Sequence, residues 1–158
     1  MPSALLLAGL AAMSLLAWSI IAWVHLVPWL EGRSQRAALA VVVTPHMFRH
    51  VGAMALLPGI GDVPAAWSVP LAWGDGITAA LAAVAMIALH RAWRHAIAVV
   101  WVFNVFGLLD MLHNGYNAAS LGIAPRLGVI AFVVAFVVPG MLVAHILVFR
   151  LLLRPARA

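Results

Sequence analysis

The chain alternates long apolar runs with short polar breaks, and each of its five runs is long enough to cross a bilayer as a helix. The first covers residues 4–30 and ends at Glu31-Gly32-Arg33-Ser34-Gln35-Arg36. The second, 37–57, stops at the turn-rich Pro58-Gly59-Ile60-Gly61-Asp62-Val63-Pro64. Trp67, Pro70 and Trp73 read as an interfacial entry to the third, 69–90, and Arg91 to His95 form a short basic turn. The fourth is 96–114, a polar loop with Tyr116, Asn117 and Pro125 follows, and the fifth is 127–150. The pattern predicts an all-α integral membrane protein, a single bundle of five transmembrane helices over residues 1–158, with no repeat or linker.

Composition supports this class. Hydrophobic residues make up 66% of the chain and charged residues 8%, with a mean hydropathy of +1.12, whereas about a quarter of a soluble domain is charged. The bundle uses the whole length, so any chemistry lies in the membrane or at its surface. The net charge of +5 comes from nine arginines and no lysine, set mostly at the ends of apolar runs; this is a topology signal and not the clustered basic face that nucleic acid requires. With five helices Arg33, Arg36, Arg91, Arg94, Arg150, Arg154 and Arg157 share one side and Arg126 the other. The positive-inside rule then puts the C-terminus in the cytoplasm and the N-terminus outside. Nothing basic precedes the first run, so it reads as a retained helix and not as a cleavable signal. The Ala- and Arg-rich, lysine-free composition suggests a bacterial inner membrane. Lack of cysteine excludes disulfides, thiolate metal sites, iron–sulfur clusters and covalent haem attachment, and lack of lysine excludes a retinal-type Schiff base.

The stretch Thr44-Pro45-His46-Met47-Phe48-Arg49-His50 changes the picture, because it sets a proline, two histidines and an arginine inside an apolar run. Ionisable groups at membrane depth are costly and mark functional sites by default. At about 1.5 Å per residue, Arg49 and His50 lie roughly 18 to 20 Å from the cytoplasmic ends, Asp110 roughly 21 Å and Asp75 roughly 22 Å. Four ionisable residues on three helices thus share one layer. On helical spacing His46, Arg49, His50 and Ala53 form one stripe, and Asp75, Thr78, Ala79, Ala82 and Met86 a second. Gly107, Asp110, Asn114 and Asn117 form a third, with Asn104 and His113 at its edges. Facing inward, these stripes predict an outward-opening polar pocket.

Three kinds of chemistry fit the layer. One is a small lipophilic or anionic ligand held by Arg49, Asn104 and Trp101, with His50, Asp75 and Asp110 as acid, base or proton partners in any reaction. The second is a transition metal (Zn, Cu, Fe or Mn) on His46, His50, Asp75, Asp110 and His113, whose i, i+4 and i, i+3 spacings suit bundle metal sites, although Arg49 opposes a cation there. The third is haem b on His25, His46 and His145. Whether the protein is an enzyme stays open, since nucleophile, phosphate-loop and nucleotide motifs are all missing. The competing reading makes the Arg–Asp layer a structural lock in an accessory or assembly subunit, with a homo-oligomer or a larger membrane complex as partner.

Overall fold

The computed structural model describes residues 2–154 and is helical, with no strand among them. Five helices are long and apolar enough to span a membrane: α1 (Ser3–Glu31), α2 (Gln35–Leu56), α3 (Ala65–His90), α4 (Ala96–Ser120) and α5 (Ile130–Leu152). Arg157, counted among the cytoplasmic arginines, lies outside the described residues.

The largest departure from the predicted boundaries is α4, which continues six residues past Asn114. Its polar end stays helical because side chains bond back one turn: Asn114 Nδ2 to the Asp110 carbonyl at 3.0 Å and Ser120 Oγ to the Tyr116 carbonyl at 2.9 Å. Helix α3 begins four residues early, where extended Pro64 offers its carbonyl to the Trp67 and Ser68 amides. Trp67, expected at a lipid interface, is buried at 3% exposure and donates Nε1–H to the Asn114 carbonyl.

Three prolines reshape their helices. The rings of Pro28 and Pro139 would strike the carbonyls of Val24 and Ala135, and each of those carbonyls sits in a widened π turn, Ala22–Leu26 in α1 and Val133–Val137 in α5. Pro45 acts the other way. From Thr44 to Leu56 the chain narrows to a 3₁₀-helix of 13 residues, far beyond the usual three or four. The narrower helix is longer per residue: nine α residues and thirteen 3₁₀ residues reach about 40 Å, against about 33 Å for the same stretch as α-helix. The shortest of the five spans therefore matches the length of α3, at about 39 Å for its 26 residues.

Helix α3 is the centre of the bundle. Its Ala79, Ala82, Ala85 and Ala88 are buried and let α2 and α4 approach closely. The α-helical half of α2 packs on both α3 and α5, whereas the 3₁₀ half follows α3 and meets α5 chiefly where His46 and Arg49 reach His145. Helices α2 and α5 are closed together at one end and splayed at the other. Helix α1 leans mainly on α5, where Trp18 covers Gly140 and donates Nε1–H to the Phe136 carbonyl at 3.1 Å.

Each end of the bundle is tied. At the arginine-rich end Glu31 Oε1 takes Arg150 Nη2 at 2.7 Å and Gln35 Nε2 reaches the Leu151 carbonyl at 2.8 Å. At the opposite end the α2–α3 and α4–α5 loops are joined by Asp62 N to Arg126 O at 2.8 Å and Val129 N to Ile60 O at 3.0 Å. Gly128, at φ +54°, permits this approach, since a Cβ there would strike the Ile60 carbonyl.

Candidate functional site

The 3₁₀ geometry of α2 decides which side chains face the bundle. At 120° per residue, positions 46, 49, 52 and 55 stack on one line, and His46, Arg49 and Ala55 are buried. The same rotation carries His50 a third of a turn away. It is exposed, and its Nδ1 lies 3.0 Å from the Met47 carbonyl. The expected pairing of His46 with His50 on one face assumed 100° per residue, and the proline-initiated 3₁₀ turn removes it.

Arg49 gathers the layer. Its Nε donates to Asp75 Oδ1 at 2.8 Å, and its Nη2 reaches Asp110 Oδ2 at 2.8 Å and Asp75 Oδ1 at 2.6 Å. Its Nη1 donates to the Gly107 carbonyl at 2.9 Å and faces His145 Nε2 at 3.4 Å. All three guanidinium nitrogens are thus hydrogen-bonded, through four N–H groups, and Nη2 also forms an ion pair with Asp75. A guanidinium always donates, so His145 Nε2 accepts and its Nδ1–H donates to Asn104 Oδ1 at 2.8 Å. Asn104 Nδ2 returns a bond to the His145 carbonyl at 3.2 Å, which fixes α4 against α5.

Three glycines seat the charged groups, one on each helix. A Cβ at Gly52 of α2 would overlap the Asp75 carboxylate of α3. One at Gly74 of α3 would overlap the Asp110 carboxylate of α4. One at Gly107 of α4 would press on Thr78, His145 and Arg49. Helices α2, α3 and α4 thus each contribute a charged residue and a glycine, and each charged residue rests on the glycine of another helix in a closed cycle.

The two carboxylates end up differently. Asp110 is bonded at both oxygens, Oδ2 by Arg49 and Oδ1 by Asn114 Nδ2 at 2.8 Å. Both Arg49 contacts to Asp75 fall on Oδ1, leaving Oδ2 against Gly52. Asn114 Oδ1 is buried with no protein partner.

A cavity of about 330 Å³ lies between the splayed halves of α2 and α5, with α3 and α4 behind it. Arg49, Asp75 and Asn114 are polar groups in its lining; the walls are apolar, among them Trp67, Leu71, Met111, Val134 and Met141. Exposed Phe48, Val51 and Val129 form part of its rim. The cavity is therefore largely apolar, and of the residues expected to form a polar pocket Arg49 and Asp75 line it while His50 and Asp110 do not.

Several predicted residues lie elsewhere. His113 is exposed and pairs with Asn117 at 2.9 Å, and Trp101 packs against Phe149 at a tilt, with ring centroids 5.5 Å apart. His25 is exposed on α1, away from buried His145. His46 and His145 do meet, with centroids 4.2 Å apart, but they contact one another directly, leaving no room between them for a macrocycle. Among the described residues no three His, Asp or Glu side chains converge to hold a metal ion.

His46 is fully buried against Phe103 and His145, and neither ring nitrogen has a protein hydrogen-bond partner. Burying unpaired polar atoms costs about 1–3 kcal/mol. His46→Leu, of similar volume, is expected to raise stability by about 1 kcal/mol, or the unfolding midpoint by about 2–4 °C. Differential scanning fluorimetry of the purified protein checks this, and a lowered midpoint would show that the imidazole is bonded after all.

Sequence reasoning missed Gly52 and Gly74 as seats, and Trp67 and the α5 valines as cavity walls. Both glycines were visible as a signal, since Gly52 follows Arg49 by three residues and Gly74 immediately precedes Asp75.

The chain matches the family model described as a domain of unknown function, DUF8737, over residues 6–153, and it belongs to that family. No curated protein and no solved structure matches it.

Proposed function

Because membership of a family without an assigned activity leaves the geometry to carry the reading, we propose that this is an integral membrane protein that binds a small lipophilic molecule in the cavity between α2 and α5. The observation that carries it is an apolar cavity of about 330 Å³, at the lower end of the usual range for ligand pockets, lined at one place by the buried charged layer. In this reading the protein lies in a bacterial inner membrane with its N-terminus outside, following the arginine asymmetry, and the cavity is in the outer half. The exposed rim lets a lipophilic molecule enter from the bilayer.

Arg49 supports this site without clamping the ligand. Its three nitrogens are already hydrogen-bonded within the layer and paired with two carboxylates, so an anionic head would have to displace Asp75 or Asp110 to reach the guanidinium. With His50 and His113 outside the cavity, Asp75 is the titratable carboxyl left facing it, which favours binding over acid–base chemistry.

Filling the cavity tests the reading. Val134→Trp is expected to weaken saturable binding of 1-aminoanthracene by at least about tenfold, with the unfolding midpoint within about 4 °C of the parent protein. Binding is followed by the fluorescence of the probe in lipid nanodiscs. Equal affinity in the two proteins, at intact fold, would place the probe outside this cavity and sink the proposal.

A further inference from the structure

The polar groups lining the cavity are unbalanced in two ways. First, acceptors outnumber donors. Asn114 Oδ1 is a buried acceptor without a protein partner on a residue 5% exposed, Asp75 Oδ2 lies against Gly52 without a hydrogen bond, and the nitrogens of Arg49 and Asn114 are bonded within the layer. Second, the layer holds two carboxyls and one guanidinium. The sequence has no lysine, and among the described residues the other seven arginines lie in the loops and at the helix ends. His145 is held neutral by accepting from Arg49 and donating to Asn104, and His46 has no hydrogen bond to either carboxylate.

A ligand that completes this site brings N–H or O–H donors and a positive charge. We infer that the cavity takes a lipophilic amine in its protonated form, its ammonium donating to Asp75 Oδ2 and Asn114 Oδ1 and its tail lying along Val134, Met141 and Leu71. Arg49 supplies one positive charge shared by the two carboxylates, and the ligand supplies the second at the free oxygen of Asp75. A charge-assisted bond of this kind is roughly twice as strong as a neutral one, and the apolar walls keep competing water away. The inference rests on the cavity being a ligand site and adds the chemistry of the head.

The test compares three molecules that share one eight-carbon tail: octylamine, octan-1-ol and octanoate. Each is titrated into the full chain in phosphatidylcholine nanodiscs while the fluorescence of Trp67, a cavity wall, is followed; Trp67→Phe identifies its share of the signal. After correction for partition into lipid, octylamine is expected to bind at least about tenfold more tightly than octan-1-ol, with octanoate weakest. Asp75→Asn, which keeps the shape of the side chain, is expected to bring octylamine to the level of the alcohol. Equal binding of amine and alcohol, or a preference for octanoate, would overturn the ammonium while leaving the cavity as a ligand site. No Trp67-dependent response to any of the three would overturn the ligand site itself.

Discussion

Arg49→Met is expected to destabilise the bundle by about 3–5 kcal/mol, a large share of the roughly 5–15 kcal/mol that holds a domain together. The substitution keeps the length of the stem but leaves Asp75 with no donor and Asp110 with Asn114 alone, two carboxylates uncompensated in an apolar interior. Arg49→Lys is expected to recover little, because one compact ammonium cannot reproduce a planar fork that spans two helices and reaches a third. Adding Asp75→Asn and Asp110→Asn to Arg49→Met removes the stranded charges and is expected to restore at least half of the loss. The readouts are folded yield by size-exclusion chromatography and the unfolding midpoint. An Arg49→Met protein as stable as the parent would mean that the carboxylates are compensated from elsewhere.

The charged layer was legible because charges in apolar runs are rare, and counting residues from the helix ends gives depth without knowledge of packing. That argument found Arg49, Asp75 and Asp110, and the structure brings all three together. It failed where it needed rotation. His50 was put beside His46 on the assumption of an α-helix, while Pro45 opens a 3₁₀ stretch that turns His50 outward. His113 and Asn104 were both placed at the edge of the α4 stripe, yet Asn104 is buried against His145 and His113 is exposed. A stripe edge resolves only when the neighbouring helix is known, and here α5 supplies the partner. The cavity walls could not be read at all. Valine and methionine line every apolar run, and what makes some of them a wall is the splaying of α2 from α5.

That splaying links the layer to the cavity. Pro45 diverts α2 from α5, and the side chain of Arg49 then bridges part of the gap to reach His145. Below Arg49 the helices pack; above it they part. The Arg–Asp layer is thus both the bolt of the bundle and one wall of the space it leaves open, so the structural and ligand-binding readings of these residues are not exclusive.

The seats under the charged groups make the sharpest test of this arrangement. Gly52→Ala, Gly74→Ala and Gly107→Ala are each expected to cost about 3 kcal/mol, the upper part of the usual range for overpacking, because each methyl group displaces a partner held by several hydrogen bonds. The chain contains its own controls. Gly9, Gly76 and Gly115 are also helical, but a Cβ at any of them meets nothing within 4 Å. Alanine there is expected to stabilise by about 0.5–1 kcal/mol through helix propensity alone. Six single variants of identical chemistry should therefore fall into two groups of opposite sign, separated by about 3–4 kcal/mol, in thermal or denaturant unfolding. Because the three seats close one cycle, a pair such as Gly52→Ala with Gly74→Ala should cost less than the sum of its members: once the first methyl has displaced Asp75 and loosened its hold on Arg49, the bonds of Asp110 to Arg49 are weaker and the second methyl has less to break. Strict additivity would show three independent contacts in place of one coupled layer.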